Sequence, residues 1–219
     1  MRRRISLLIL AATVQLAAPL QAQAVHFKFT DVGSGANAFG VYFGTYGGTR
    51  DFGGALPQNV GLNCVDFFHE VFVNQEWDAN ISNLGAGDVS LTRHAGSLDL
   101  YRQAAWLISN YNTTNVQATQ ATLWNLFLNP GSNWTPDAAL LAAAQAPHPG
   151  FDYSDFYVVT DVNAGGLNDA SSVQEFIVFD PSLDNTDVTP TPEPAMFMLV
   201  GTGLLGFGGF GARKRFLKA

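Results

Sequence analysis

The sequence has little cysteine and, over most of its length, little positive charge. One cysteine in 219 residues excludes an intrachain disulfide framework and any multi-cysteine metal cluster. Charged residues make up only 13% of the chain, with 18 acidic against 11 basic. Seven of those 11 basic residues stand at the ends: Arg2, Arg3, Arg4, Arg213, Lys214, Arg215 and Lys218. Between Val25 and Glu193, only Lys28, Arg50, Arg93 and Arg102 face all 18 acidic residues, a net charge of −14. A nucleic-acid binder needs a basic face, so that class is excluded. The four histidines are scattered without metal-ligand spacing, and neither a metal nor a cofactor is expected. The apolar content is concentrated in two terminal runs.

Those runs read as addresses. Arg2-Arg3-Arg4 precedes an apolar stretch over residues 5–20, and Ala22-Gln23-Ala24 follows as a small-x-small cleavage pattern. This is the order of a secretory signal peptide over residues 1–24. At the other end, residues 195–212 carry no charge over 18 positions. At about 1.5 Å per residue they span roughly 27 Å, close to the ~30 Å hydrocarbon core. Arg213-Lys214-Arg215 then acts as a basic stop that stays cytoplasmic. Six glycines make this a short, weak transmembrane helix.

Pro192-Glu193-Pro194 stands directly before that span. Pro-Glu-Pro, a glycine-rich apolar span and a terminal arginine cluster together resemble the PEP-CTERM sorting signal, over residues 192–219. The resemblance implies an exported protein of a Gram-negative, exopolysaccharide-making bacterium. Its processing partner would be an exosortase, with the inner membrane as a transient anchor. Prolines at 190, 192 and 194 keep the segment extended, the form a processing enzyme can grip.

The remainder divides into a single domain over residues 25–180 and a polar linker over 181–191. Residues 25–30 alternate as a strand, and the aromatic stretch 39–46 reads as another. Gly47-Gly48 and Gly53-Gly54 mark turns. Residues 62–73 read as one bent strand or two. Then the period changes. Ser97 caps a helix from Leu98, with Leu98, Tyr101, Ala105 and Ile108 on one face. A second helix spans about residues 116–128. Thr135 caps a third, with Pro136 at its first position and residues 138–146 as its body. Strands at 155–162 and 172–179 close the domain. The fold class is α+β, a β-rich domain with a two- to three-helix insertion.

Within it, Asn63-Cys64-Val65-Asp66 is followed by Ala104-Ala105-Trp106-Leu107-Ile108 and then by Thr119-Gln120-Ala121-Thr122-Leu123-Trp124. This order resembles the thioester domains of bacterial surface proteins. It departs from them at Thr122 and at Asn63. The resemblance implies a covalent bond between the Cys64 sulfur and the side-chain carbonyl carbon of Gln120. A thiolate is the strong side-chain nucleophile at neutral pH, and a glutamine amide can lose ammonia when attacked. An amine could later displace the sulfur, attaching the protein to a target in one turnover. Gln117, one turn earlier, is a rival for Gln120, and Gln103 is a weaker one.

Other readings compete. A lone cysteine is usually a buried small hydrophobe, although an exported protein tends to avoid an unpaired thiol. Cys64 with His69, His94 or His148 would imitate a cysteine-hydrolase dyad, but no local motif supports one. Residues 161–169 partly resemble a calcium loop, with Gly165 at position 5 and Ser172 instead of glutamate at position 12; a polar hairpin loop explains them more simply. The expected protein is therefore not an enzyme. It is an exported surface or extracellular-matrix adhesin with amine-bearing partners or exopolysaccharide around it. The alternative is a non-covalent structural or carbohydrate-associated module.

Overall fold

A computed structural model describes residues 24–33, 36–51, 56–111, 116–127, 134–164 and 172–183. The signal peptide, the Gly53-Gly54 turn, Leu128, most of the linker and the sorting segment lie outside the described residues. Among the described residues, no helix is long and apolar enough to cross a membrane.

Six antiparallel strands close into a barrel in the order β1-β4-β5-β8-β7-β6. These are β1 (Val25–Asp31), β4 (Thr45–Asp51), β5 (Gln58–Cys64), β6 (Glu76–Asn83), β7 (Phe156–Asp161) and β8 (Phe176–Phe179). Closure leaves none of these six strands at an open edge. The short strands β2 (Asn37–Ala38) and β3 (Val41–Tyr42) form a separate hairpin. Between β6 and β7 the chain inserts α1 (Leu98–Ser109), α2 (Val116–Phe127) and α3 (Ala138–Gln145). The α+β character and the helical insertion agree with expectation, and closure of the sheet is new.

Strand alternation splits the core in two. Val25, Phe27 and Phe29 point inward from β1, joining Tyr46, Leu62, Trp77, Val159, Phe176 and Val178 inside the barrel. Side chains of opposite parity on β7 and β8, namely Phe156, Val158 and Ile177, pack outward against Tyr101, Leu107, Leu123 and Ala144 of the helices. Every residue of β7 is therefore buried, as expected of a strand covered on both faces. Helix α2 feeds both clusters. Ala121 and Trp124 enter the barrel cluster, while Leu123 and Leu126 enter the helical one.

Several local expectations are corrected. The 39–46 stretch is not one strand, because Phe39 (φ 53°) and Gly40 (φ 80°) make the tight turn of the β2–β3 hairpin. Gly47 and Gly48 are not a turn but the middle of β4. A Cβ on Gly47 would overlap the Asp31 carboxylate, and one on Gly48 would lie 2.7 Å from Leu62 Cδ1. Glycine is used there for close packing of neighbouring strands. The 62–73 strand stops at Cys64, where the Asp66 carboxylate turns the chain by accepting from the Phe68 amide at 3.1 Å. Strand β6 was not foreseen, its polar residues Glu76, Asp78 and Asn80 masking the alternation with Trp77 and Ala79. The cap of α3 is Asp137, not Thr135. Its Oδ1 accepts from Ala139 N at 2.8 Å and Leu140 N at 3.1 Å. Ser97 occupies the N-cap position of α1 without a side-chain capping bond.

The last described segment is tied down. Arg50 Nε meets Asp180 Oδ2 at 2.7 Å, Arg50 Nη2 donates to Ser182 Oγ at 2.9 Å, and Leu183 is buried. The Tyr157 hydroxyl donates to the Leu183 carbonyl.

Candidate functional site

Cys64 is the final residue of β5 and pairs with Phe176 of β8. Its position at the strand end brings it under α2. Gln120 sits on the face of α2 that turns toward the barrel, and its Nε2 donates to the Cys64 carbonyl oxygen at 2.7 Å. Both residues are completely buried, at 0% exposure. Of the rival glutamines, Gln117 is exposed and Gln103 lies half-buried on α1. Burial thus separates the two glutamines of α2: Gln120 is enclosed beside Cys64, and Gln117, one turn earlier, is exposed.

The orientation of the Gln120 amide follows from its partner. A backbone carbonyl only accepts, so the amide NH2 must face it. Oε1 is then directed away, buried and without a hydrogen-bond donor. One turn later on the same helix, Trp124 Nε1 is also buried, with the Cys64 sulfur as its neighbour.

The sulfur sits in apolar surroundings. Its S–H donates to the Asp66 carbonyl at 3.1 Å. Burial, reinforced by the nearby Asp66 carboxylate, pushes the thiol pKa up to about 12. The indole N–H of Trp124 acts in the opposite direction, favouring the thiolate. Tyr46 and Tyr111 line the same space. Burial pushes both phenols well above their ordinary range, and the sulfur's charge adds to each shift. The Tyr46 hydroxyl donates to the Tyr42 carbonyl at 2.7 Å, tying the β2–β3 hairpin to this region.

A buried ionic network adjoins the pair. Asp66 Oδ2 meets His69 Nδ1 at 2.6 Å and Arg93 Nε at 3.0 Å. Arg93 Nη2 donates to the Val173 carbonyl at 2.9 Å, and its backbone N–H to Glu175 Oε1 at 2.8 Å. Glu175 also accepts from Thr160 Oγ1 and the Tyr101 hydroxyl, both at 2.7 Å. Burial, the largest influence, holds the Glu175 carboxyl above its usual range. The sequence reading missed this network. Two signals pointed to it: Arg93 is one of four basic residues in the acidic middle, and Glu175 directly precedes the apolar run Phe176-Ile177-Val178-Phe179.

The remaining candidates are placed elsewhere. His69 is engaged by Asp66, and His148 stacks on Trp106 with ring centroids 4.4 Å apart. His94 packs 5.0 Å from the Phe127 ring, with burial lowering its pKa. The first residue of the calcium-like loop, Asp161, accepts from the amides of Asn163 at 2.8 Å and Val173 at 3.0 Å. Residues 165–171 of that loop lie outside the described residues. Among the described residues, no group of three His, Cys, Asp or Glu side chains is placed to hold a metal ion.

The family model described as the PEP-CTERM protein-sorting motif matches residues 190–215. The match contains Pro192, Glu193 and Pro194 and the basic cluster Arg213, Lys214 and Arg215. It marks the chain as an exosortase substrate, exported and processed at the membrane. Comparison with curated proteins and with solved structures found no match.

Proposed function

We propose that this exosortase-sorted protein acts at the cell surface or in the extracellular matrix as an adhesin, through an internal thioester between Cys64 and Gln120. The observation that carries the reading is the Gln120 amide bonded to the backbone of Cys64, with both residues fully buried. That bond supports the reading because it holds the Gln120 side chain at the backbone of a residue 56 positions away in sequence, so that part of the approach is already made by the fold. Formation would join sulfur to Cδ of Gln120 and break the Cδ–Nε2 bond. Ammonia would leave, carrying away the thiol proton. An amine on a partner would later displace the sulfur and leave a stable amide. The reaction is a single attachment, so the protein is not an enzyme on this reading.

Intact mass of the exported protein is the test. The expected chain is lighter than its encoded mass by one ammonia, and methylamine adds to it at Gln120. Cys64→Ala should abolish both effects. An unmodified mass, with one thiol titrating after denaturation, would overturn the thioester.

The second reading is a non-covalent structural or carbohydrate-associated module with an inert thiol. The thiol's pKa of about 12 favours it, since almost no thiolate exists at neutral pH. The same mass measurement separates the two.

A further inference from the structure

Five of the buried polar side-chain atoms without a regular hydrogen bond fall into two kinds. Asp66 Oδ2, His69 Nδ1 and Arg93 Nε are held in ion pairs. Trp77 Nε1 and Gln103 Oε1 lie on separate elements, β6 and α1. Gln120 Oε1 and Trp124 Nε1 differ from both kinds. One is an acceptor and the other a donor, and they stand four positions apart on one face of α2. Residues at that spacing are neighbours, with Cβ atoms about 5–6 Å apart. Gln120 is 0% and Trp124 1% exposed, so water cannot readily serve either atom. The indole N–H has the Cys64 sulfur beside it, a weak acceptor. Leaving Oε1 unmatched costs roughly 1–3 kcal/mol, so its survival next to that donor calls for a reason.

The chemistry of Gln120 supplies one. When a nucleophile attacks Cδ, the carbonyl becomes tetrahedral and Oε1 takes up the negative charge. In a dry site that oxyanion needs a fixed donor. We infer that the indole N–H of Trp124 is a catalytic group that stabilises the oxyanion on Gln120 Oε1. It would act in two steps, during attack by the Cys64 sulfur and again during attack by a partner's amine. Both pass through an oxyanion at the same atom. In the first, the S–Cδ bond forms, then the Cδ–Nε2 bond breaks and ammonia leaves with the thiol proton. In the second, the amine's N–Cδ bond forms and the S–Cδ bond breaks. The sulfur recovers a proton from the amine, and no electron is gained or lost overall. Before either step, the same N–H favours the thiolate over the thiol. Trp124 thus serves the nucleophile first and the developing oxygen afterwards.

This inference rests on the thioester reading, and its test keeps the two apart. Trp124→Phe keeps a ring in the core but removes the N–H. In the full exported chain, the fraction of molecules lighter by ammonia should fall, and methylamine should add to the remainder on the order of 100-fold more slowly. Because the smaller ring could upset packing, Trp124 is also replaced by benzothienylalanine, in which sulfur takes the place of the N–H at nearly unchanged shape. Losses in that chain, with unaltered near-ultraviolet circular dichroism, assign the effect to the N–H. Wild-type ammonia loss and methylamine rate in the benzothienylalanine chain would overturn the role of Trp124 and leave the thioester standing. Absence of the ammonia deficit in the wild-type chain would overturn both.

Discussion

Around Arg93, each charge has a counter-charge or several hydrogen bonds. Around Gln120, beside Cys64 and so two residues along the chain from Asp66, the amide oxygen stands without a donor and the nearby indole N–H has only a sulfur to face. The two clusters are neighbours, joined by the Val65 amide donating to the Glu175 carbonyl at 3.1 Å. They share the same depth of burial, so burial alone does not explain the difference. The Arg93 network stitches the loop after β5, the segment before α1 and the approach to β8 into one piece. Its polar groups are used up in doing so. The Cys64–Gln120 region joins β5 to α2 through the Gln120 hydrogen bond and leaves Gln120 Oε1 without a donor. The contrast is the one expected between a structural clamp and a site arranged for the reaction proposed above.

The largest expected effect lies in the clamp. Arg93→Met keeps most of the side-chain volume but takes the guanidinium from the buried Asp66 carboxylate, leaving it His69 and the Phe68 amide. Breaking one partner from a buried pair typically costs ~3–5 kcal/mol. Urea unfolding of the variant should show a loss of that order. A loss below about 1 kcal/mol would mean that the carboxylates rehydrate freely, and the distinction between the clusters would fail.

A smaller effect is expected from protonation of Glu175. Its carboxyl is raised by burial, while the Arg93 amide, Thr160 and Tyr101 pull it partly back. An unfolded glutamate titrates near ~4.3, so the folded protein holds this proton to a higher pH than the unfolded chain does. The contribution to stability is therefore fully present below ~4.3 and is lost as pH rises through the folded value. Glu175→Gln should flatten this part of the Tm-against-pH profile. If the wild-type Tm instead gained on the variant across that window, the carboxylate would be better stabilised inside than in water.

How far the sequence revealed these clusters depends on what kind of signal each leaves. That Gln120 lies beside Cys64 was expected from the resemblance to thioester domains and from Cys64 being the sole cysteine, whereas the period of α2 by itself left Gln117 open. The strand β1 was legible because its alternation survives in the buried Val25, Phe27 and Phe29. The barrel was not, because closure depends on register between strands distant in sequence, such as the pairing of β1 with β6. Gly47 and Gly48 misled because glycine serves both turns and close strand contact, and only the Asp31 and Leu62 side chains decide between them. The Arg93 network was hidden because Asp66, Arg93 and Glu175 come from three separate segments, none with a local motif.

The smallest effect tests Gln120 itself, in a Cys64→Ala background where no sulfur can join its side chain. Gln120→Met removes the hydrogen bond to the residue 64 carbonyl, worth about 1 kcal/mol net. It also removes the unmatched Oε1, which was costing roughly 1–3 kcal/mol, and places an apolar chain among Trp124 and Ala121. The two terms oppose, so urea unfolding should register a change within about 1 kcal/mol of zero. A loss as large as that of Arg93→Met would put Gln120 among the structural polar groups and erase the contrast between the clusters. With Cys64 restored, the substitution carries a further meaning. A covalent bond across 56 positions would restrict the unfolded chain much as a disulfide does. Chain-entropy reasoning puts that near 4 kcal/mol for a loop of this size. The difference between the two backgrounds therefore measures the bond: near zero where sulfur and amide only touch, and several kcal/mol where they are joined.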